Sequence, residues 1–564
     1  MSSQLYMGRK PARADEGSGG SGNGKKRMSV CNGLDRGSNF ASTRKGADLP
    51  TVFHCMNGGK PVNVSNSTTP KSERLTDMRP KIQWNDIDWK KVIQNINRLQ
   101  TRITKAVLEG KWQSVKRLQY LLTNSFYAKS LAVRTICQNK GKRTAGIDGE
   151  KWLTPKAKMN AALNLSDESY KAKPLKRVFI DKPGKKKKRP LGIPTMYDRA
   201  MQALYALALD PVAEATADIA SFGFRKFRSA QDACEQAFNY LSRRNSAQWI
   251  LEGDIKGCFD NINHNWLQDN IPMDKSILNQ FLKAGFVYKH HLNPTKAGTP
   301  QGGIISPILA NMTLDGIELT IADKYYSGKI WKSRNPKKVN FLRYADDFIV
   351  TADSEETAKE IRELIEVFLK ERGLELSIEK TLITHIDKGF DFLGWNFRKY
   401  KGKLLIKPSK KSIGNVTHKM SDIIKKGKAW KQEDIIGALN PVITGWTNYH
   451  QSVVSKETFS KLDHIVWTML WRWAKRRHPQ KSGSWITRRY WHREGTRNWV
   501  FSTKENKLKL LSDTRIVRHR CLKLDRNPYI DKVYFDVRRY KLRARKMANK
   551  PKTFGVQMNI CSFA

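Results

Sequence analysis

Residues 341–350 read FLRYADDFIV, an apolar, strand-like run that contains two adjacent carboxylates, Asp346 and Asp347. Side chains alternate between the two faces of a strand, so these aspartates cannot both lie in a packed core. A buried carboxylate without a partner is costly, and folds tolerate one only beside a cation or another compensating group. The stretch therefore predicts a hairpin whose tip is either simply solvated or one half of a divalent-metal site.

Charge is the dominant property of the chain as a whole. Its 564 residues include 104 Lys and Arg against 52 Asp and Glu, which gives a net charge of +52. Such an excess favours a polyanion as partner, with an affinity that falls steeply as salt is added. The sequence has no apolar run of about 18 residues and no signal-peptide core, so no membrane association is expected and nucleic acid is the preferred partner.

The seven cysteines are scattered along the chain and form no C-x-x-C pair. We therefore expect neither a disulfide framework nor a zinc site, and each thiol is interpreted as a small buried hydrophobe. This pattern is typical of a reducing compartment. The cysteines indicate only an intracellular, reducing site, and both a bacterial cytoplasm, with the nucleoid when the protein is on DNA, and an organelle are compatible with it.

Composition divides the chain into segments. Residues 1–80 are rich in Gly, Ser, Asn and Lys and are predicted to be a disordered basic leader. From residue 84 to residue 400 strands alternate with helices, which indicates an α/β body, and a helical, basic segment is expected after Tyr400. The predicted elements include a helical hairpin broken at Gly110, two strands within 174–193, and short strands in ELSIEKT (375–381) and GFDFLGWNF (389–397).

A second acidic strand end lies upstream, at Asp254 in EGDIKGCFDNI (252–262). Phosphoryl transfer with two divalent ions about 4 Å apart needs oxygen ligands that face each other across the site. Mg²⁺ takes one or two carboxylates beside waters and substrate phosphates. In the loop PQGGIISP (300–307), bare glycine backbone can approach a substrate closely. Taken alone, each of these features is also compatible with an ordinary solvated turn.

Six blocks occur in a characteristic order: RPLGIP (189–194), DIKGCF (254–259), TPQGGIISP (299–307), YADD (344–347), LSIEKT (376–381) and FDFLGW (390–395). Together they resemble the reverse transcriptase blocks of group II intron-encoded reverse transcriptase/maturases, over about residues 84–540. The resemblance implies an α/β (α+β) right-hand polymerase with fingers and palm at 84–400. It also implies an α-helical thumb, or maturase X domain, at 401–482. A small basic C-terminal region at 483–564 would bind DNA.

The resemblance also implies roles for individual residues. Asp254, Asp346 and Asp347 would coordinate two Mg²⁺ ions, which makes the acidic hairpin a metal-binding turn. Contacts to the dNTP are implied for Lys182, Arg189, Phe259, Gln301, Gly302 and Lys380, with Phe259 excluding a 2′-hydroxyl. The primer grip would be formed by Phe392, Leu393 and Gly394.

Basic side chains are concentrated around WTMLWRWAKRRHPQKS (467–482). Helical spacing puts Trp467 and Trp471 on one face, which is predicted to lie in the core. Nucleic-acid contacts are therefore expected from the basic residues of this helix and of the segment after it: Arg472, Lys475, Arg476, Arg477, Arg488 and Arg489.

The implied function combines two activities. The protein would bind its intron RNA as a lariat ribonucleoprotein and assist splicing, and it would then copy that RNA into DNA at a target site (retrohoming) from dNTPs. No Cys pair follows residue 540, so no HNH endonuclease is expected, and priming from a nascent strand at a replication fork is expected instead. Two alternatives are an RNA-binding splicing factor with a vestigial polymerase, and a non-intron reverse transcriptase of the retron or defence type.

Overall fold

The computed structural model of the chain describes residues 83–182, 185–326 and 335–548, except for the side chains of residues 182–187 and 545–548. The predicted leader at 1–80 lies outside these ranges. Within them, no helix combines the length and apolar character needed to cross a membrane.

The N-terminal part is helical. Its helices are α1 (Trp89–Leu108), α2 (Trp112–Thr123), α3 (Phe126–Gln138) and α4 (Pro155–Asn164). The Asp88 carboxylate starts α1 by accepting the backbone N–H groups of Lys90 and Lys91. Gly110, at φ 69°, then allows the reversal into α2. The helical hairpin predicted around Gly110 is therefore confirmed.

The central part alternates strands and helices. Its elements are β1 (Leu175–Lys182), β2 (Lys185–Ile193), α5 (Met196–Thr216), α6 (Ala230–Leu241), β3 (Trp249–Asp254), α7 (Cys258–Asn261), α8 (His264–Asn270), α9 (Lys275–Lys283), β4 (Phe286–Tyr288), β5 (His291–Asn293), α10 (Ser306–Leu314), α11 (Ile317–Tyr325), β6 (Asn340–Tyr344), β7 (Asp347–Ala352), α12 (Glu355–Lys370) and β8 (Leu382–His385).

Two four-stranded sheets organise this part. The fingers sheet has the order β2-β1-β4-β5, and its β1–β2 pair confirms the two strands predicted within 174–193. The palm sheet has the order β6-β7-β3-β8 and is antiparallel throughout. The β6–β7 pair confirms the hairpin predicted from FLRYADDFIV. One hydrophobic core joins α1, α3 and α5 to the palm strands β3 and β7.

One predicted strand is wrong. Residues 375–381 (ELSIEKT) make a single bridge, between Leu376 and Ile255, and then turn. The Ser377 carbonyl accepts the backbone N–H groups of Lys380 and Thr381, while the Ser377 N–H donates to the Asp254 carbonyl at 2.8 Å. Ile378 is 92% exposed, so alternate apolar residues do not face a common core. The strand that follows is β8, which begins one residue later.

The C-terminal part contains β9 (Phe390–Phe392), β10 (Trp395–Tyr400), β11 (Lys403–Pro408), α13 (Lys410–Lys426), α14 (Gln432–His450), α15 (Lys456–Arg477), α16 (Gly483–Tyr490), β12 (Trp491–Glu494), β13 (Arg497–Phe501) and α17 (Lys532–Ala548). The two strands predicted in GFDFLGWNF are present. The expectation of only helices after Tyr400 is wrong, because β11 pairs along the whole of β10 and β12–β13 form a hairpin.

The thumb helices α13–α15 share one hydrophobic core with α16 and β12–β13, extending to Leu511. This core crosses residue 482, where the sequence predicted a domain boundary. The chain then returns to the palm. Leu522 and Phe535 enter a second core beside α6, and the buried Asp232 accepts His519 Nε2 at 2.8 Å and the Arg538 guanidinium. The basic C-terminal segment is therefore tied to the palm as well as to the thumb.

Candidate active site

The predicted carboxylates come together at one end of the palm sheet. Asp254, the last residue of β3, lies directly opposite Asp347, the first residue of β7, and Asp346 lies in the turn before it. Gly253 makes this pairing possible, because a Cβ at that position would lie 2.0 Å from the ring of Phe348. Ala345 takes a left-handed conformation at φ 57°, which costs about 1 kcal/mol or more for a residue other than glycine.

The electrostatics of this cluster favour a cation. Removal from bulk water raises the pKa of Asp347 to about 6, although its side chain still reaches solvent, and the charges of Asp346 and Asp254 contribute to the shift. Desolvation also raises the pKa of Asp346, again with help from Asp254. Desolvation is the largest cause of both shifts and repulsion between the carboxylates adds to it, so a cation bound beside them would stabilise their charged forms.

Lys380 supplies part of the missing positive charge. Its Nζ lies 2.5 Å from Asp254 Oδ2, and the turn at 375–381 brings it there. The predicted contact of Lys380 with the dNTP stays a prediction, whereas its carboxylate partner was not foreseen. The sequence offered one signal for the pairing of Lys380 with Asp254, because LSIEKT, which contains Lys380, is one of the six ordered blocks.

The residues present fit a hard divalent ion. All three candidate ligands are carboxylates, and an ammonium group already occupies a cation position at Asp254. Among the described residues, no three or more His, Cys, Asp or Glu side chains lie together so that they could hold a metal ion by themselves. A bound Mg²⁺ would need only one or two of these carboxylates and would take its other ligands from water and phosphate.

A cavity of about 320 Å³ opens between the fingers sheet and the loop at 298–303. The residues lining it include two predicted nucleotide contacts and two that sequence reasoning missed: Phe259, Gln301, Arg177 and Asp260. Gln301 Nε2 donates to Asp260 Oδ2 at 3.0 Å. Asp260 directly follows Phe259 in the sequence, and that adjacency was the available signal.

The glycine loop is docked on β2. The Gln301 carbonyl accepts the Gly192 N–H at 2.8 Å. Gly302 has a φ of 115°, and a Cβ there would lie 2.6 Å from the Gly192 carbonyl oxygen, so only glycine fits. The bare backbone of this loop thus lies close to a strand of the fingers, and its predicted approach to a substrate stays a prediction.

Phe259 and Arg189, two of the predicted nucleotide contacts, have different surroundings. Phe259 packs edge-on against Phe224, with ring centroids 6.1 Å apart. Arg189 is exposed on β2. Its charge acts to lower the pKa of Asp346, so it interacts electrostatically with the carboxylate cluster. The side chain of Lys182 lies outside the described part of the chain.

The predicted primer grip is a tight turn between β9 and β10. Leu393 and Gly394 have φ values of 50° and 82°. Tyr449 Oη donates to the Leu393 carbonyl at 2.9 Å, and this contact ties the turn to the thumb helix α14. The Phe392 side chain is only 4% exposed and lies in the core, so a primer can meet the turn but not that ring.

The predicted basic face of α15 is exposed at Arg472, Lys475 and Arg476. Arg477 is exposed as well but differs from these three in its contacts. Its guanidinium stacks on Trp473 and donates to the carbonyl groups of Lys428 and Trp430.

Two further predictions concern the surroundings of this face. Arg488 and Arg489 are exposed at the end of α16. Trp467 and Trp471 stack in parallel at 5.5 Å, as a shared face requires, but they are half-buried against Trp491 rather than enclosed in the core.

Three segments of the chain match known protein families. Residues 84–165 match the N-terminal domain of reverse transcriptase, residues 180–397 match reverse transcriptase (RNA-dependent DNA polymerase), and residues 413–491 match the group II intron, maturase-specific domain.

Curated relatives include the group II intron-encoded protein LtrA of Lactococcus lactis subsp. cremoris, 32% identical over 53% of this chain. The chain spans 59% of the length of LtrA. Protein YkfC of Escherichia coli K12 is 31% identical, with 50% of this chain and 82% of YkfC covered. Maturase-like protein 1 of Euglena gracilis is 25% identical, with 64% and 76% covered.

Among solved structures, a telomerase from Candida albicans in complex with a TWJ fragment of telomeric RNA aligns with 56% of this chain and 64% of its own, at 12% identity and a TM-score of 0.33. A likeness at this level supports no functional conclusion. The family models and the coverage of YkfC are decisive. The chain belongs to the family of group II intron-encoded reverse transcriptases and maturases.

Proposed function

We propose that this chain is an RNA-directed DNA polymerase and the maturase of a group II intron. The observation that carries the polymerase part is the meeting of Asp254, Asp346 and Asp347 at the end of the palm sheet, where two of the three pKa values are raised. A protein that only binds RNA has no use for such a concentration of carboxylates in an otherwise strongly basic chain.

The proposed chemistry is in-line transfer of a nucleotide to a primer 3′-hydroxyl. Asp254, Asp346 and Asp347 would hold two Mg²⁺ ions, which when bound make the hydroxyl more acidic and neutralise charge on the phosphates. Lys380 and Arg189 supply further positive charge for the triphosphate. Such preorganised charge, aimed at where negative charge develops, is the main source of catalysis proposed here.

The cavity between fingers and palm would receive the incoming dNTP. Phe259 would lie under the sugar and exclude a 2′-hydroxyl. The Gln301–Asp260 hydrogen bond and the docked Gly302 hold the floor of the cavity rigid. The turn at Leu393 and Gly394, held by Tyr449, would support the primer end.

The maturase part is supported by the match at 413–491 and by the exposed basic residues of the thumb. We propose that this surface clamps the intron RNA in a ribonucleoprotein with the lariat, and that residues 483–564 contact the DNA target during retrohoming. The protein would work where that RNA is made, in a bacterial cytoplasm or an organelle.

The test is primer extension on an RNA template with dNTPs and Mg²⁺, beside a splicing assay on the intron RNA. We expect cDNA from the wild type and a loss on the order of 10³-fold or more in Asp346→Ala. Splicing by the variant should stay normal. Asp387→Ala is the matched control, because Asp387 is an exposed carboxylate of the same body, paired with His385.

Three results would contradict the proposal or one part of it. Splicing without any cDNA from the wild type would identify a maturase with a vestigial polymerase. Full cDNA synthesis by Asp346→Ala would remove the metal role of the turn. Activity without co-purification of a lariat RNA would favour a reverse transcriptase outside introns.

A further inference from the structure

Arg343 lies three residues before Asp346, and its side chain is completely buried. Removing a guanidinium from water is expensive, and it is tolerated only when its donors are matched by acceptors. Sequence reasoning assigned no role to this residue, although it is part of the quoted stretch FLRYADDFIV. A buried cation beside a cluster of carboxylates calls for an explanation from its contacts.

Those contacts lead to the acidic turn. Arg343 Nη2 lies 2.5 Å from Asp315 Oδ1, just after α10. Arg343 Nη1 donates to Asn311 Oδ1 at 3.1 Å and to the Ala345 carbonyl oxygen at 3.3 Å. Ala345 is the residue with the left-handed backbone, and its carbonyl is bonded to the nitrogen of Asp346.

A second segment supports the turn from the same side. Asn311 Nδ2 donates to the Gly223 carbonyl at 2.7 Å, and a Cβ on Gly223 would lie 2.3 Å from the backbone nitrogen of Ala345. The backbone of Arg343 itself bonds to Ala220 and to Phe222, at 3.0 and 2.9 Å. The segment 220–223 is thus held against the turn, and Asn311 links it to Arg343.

We propose that Arg343 is a positioning residue for nucleotidyl transfer. With Asn311 and Asp315 it holds the Ala345 carbonyl, and so keeps the strained turn in the conformation that presents Asp346 and Asp347 together. Strained backbone persists only where its surroundings enforce it, and here the enforcing groups are identified. The inference rests on the proposed function, since it concerns the carboxylates of that site.

Arginine is required here for its shape. Its planar fork meets Asp315 with one nitrogen and Asn311 and Ala345 with the other, whereas a lysine ammonium keeps the charge without the fork. Arg343→Lys therefore separates positioning from charge. Asn311→Ala is the milder variant, because it removes one acceptor of Arg343 and the link to Gly223 but leaves the Arg343–Asp315 pair in place.

Arg372→Lys is the matched control. Arg372 is a second largely buried arginine of this body, with a side chain 13% exposed, paired with Glu371 and hydrogen-bonded to the Phe368 carbonyl. Its substitution should lower the melting temperature without changing the geometry of the turn.

Two readouts on the full chain test the proposal: kcat and KM for dTTP on poly(rA)/oligo(dT), and Mn²⁺ affinity by electron paramagnetic resonance in the absence of nucleotide. For Arg343→Lys we expect kcat to fall about 30- to 100-fold, KM to change less than about threefold, and Mn²⁺ binding to weaken about tenfold. For Asn311→Ala we expect changes in the same direction, with kcat lowered about tenfold. Arg372→Lys should stay within about twofold of wild type in both.

The outcomes are separable. If folded Arg343→Lys matches Arg372→Lys in kcat and in Mn²⁺ affinity, the pair only stabilises the fold and the proposal is overturned. If Arg343→Lys does not fold, Asn311→Ala decides by the same two readouts. If the wild type makes no cDNA but Arg343→Lys still weakens Mn²⁺ binding, the polymerase proposal fails while the positioning of the carboxylates stands.

Discussion

The carboxylate edge of the palm and the basic face of the thumb are built in opposite ways. At the palm edge charged residues have defined neighbours: Asp254 lies opposite Asp347, and Lys380 pairs with Asp254. On α15, Arg472 and Lys475 are exposed to solvent. Chemistry on a phosphoryl group depends on distances of tenths of an ångström, whereas attraction to a polyanion depends on how many charges face it. Substitutions at the palm edge should therefore act through changes in geometry, and substitutions on the thumb through the number of charges removed.

The largest effect is expected at the palm edge. Asp254→Asn keeps the shape of the side chain but removes one negative charge and the ion pair with Lys380. We expect cDNA synthesis to fall on the order of 10³-fold, because the charge that would hold a divalent ion is lost. RNA affinity, measured by filter binding, should be unchanged. A parallel loss of RNA affinity would show that the two regions are not independent.

Gly302→Ala tests whether the palm depends on shape as strictly as on charge. The added Cβ would lie 2.6 Å from the Gly192 carbonyl at a φ of 115°, so the loop has to move. A displacement of about 1 Å near the reacting groups can reduce kcat/KM for dNTPs up to about 100-fold. Steady-state kinetics at constant primer would measure this. Gly414→Ala, in α13 where a Cβ meets nothing within 4 Å, is the matched control.

The thumb should respond to the number of charges removed. In the triple variant Arg472→Gln, Lys475→Gln and Arg476→Gln, we expect RNA affinity to weaken about tenfold and the slope of log K against log salt to decrease by about two to three. Replacing the two arginines by lysine should have little effect. A strong loss of RNA affinity from that conservative change would mean that the thumb binds RNA through fixed contacts, as proposed for the nucleotide in the palm.

The smallest effect concerns stability and pH. Burial raises the pKa of Glu252, on β3, to about 7, although Thr384 donates a hydrogen bond to it. The folded protein therefore holds a proton that the unfolded chain releases near pH 4.5, and stability falls as the pH rises from about 4.5 to 7. After allowance for partial exposure the loss is about 1 kcal/mol. Glu252→Gln should flatten this dependence in thermal melts at pH 5 and 8, and an unchanged slope would contradict it.

Much of the site was predictable because its residues are carried by short, ordered motifs. The hairpin at 341–350 forms from local patterning, and both of its carboxylates lie where alternation forbids a common core. The glycine at 302 was singled out as a position for bare backbone, and its φ of 115° and its close contact with Gly192 do require glycine. Such features depend on residues that are close in the sequence, so a sequence pattern can predict them.

Other features were not predictable from local pattern. The segment ELSIEKT has strand-like composition but turns. Its backbone donates a hydrogen bond to the carbonyl of Asp254, which lies more than 100 residues away in the sequence. The core position of the Phe392 ring, and the contacts of the exposed Arg477 with the carbonyl groups of a neighbouring loop, were likewise not foreseen, while their predicted roles stay predictions. The return of His519 and Arg538 to Asp232 joins positions far apart in the chain.

The amino-acid sequence by itself determined the family and the hairpin position of the acidic turn, because both depend on residue type and order, and its total charge predicts a polyanionic partner. Tertiary structure alone decided which charges are held and which are free. Arg343 and Arg476 have the same side chain, yet one is sealed beneath the turn and the other is exposed on the thumb. The reason is physical: burial and pairing arise only when distant segments pack together, and they set what a charged group can do.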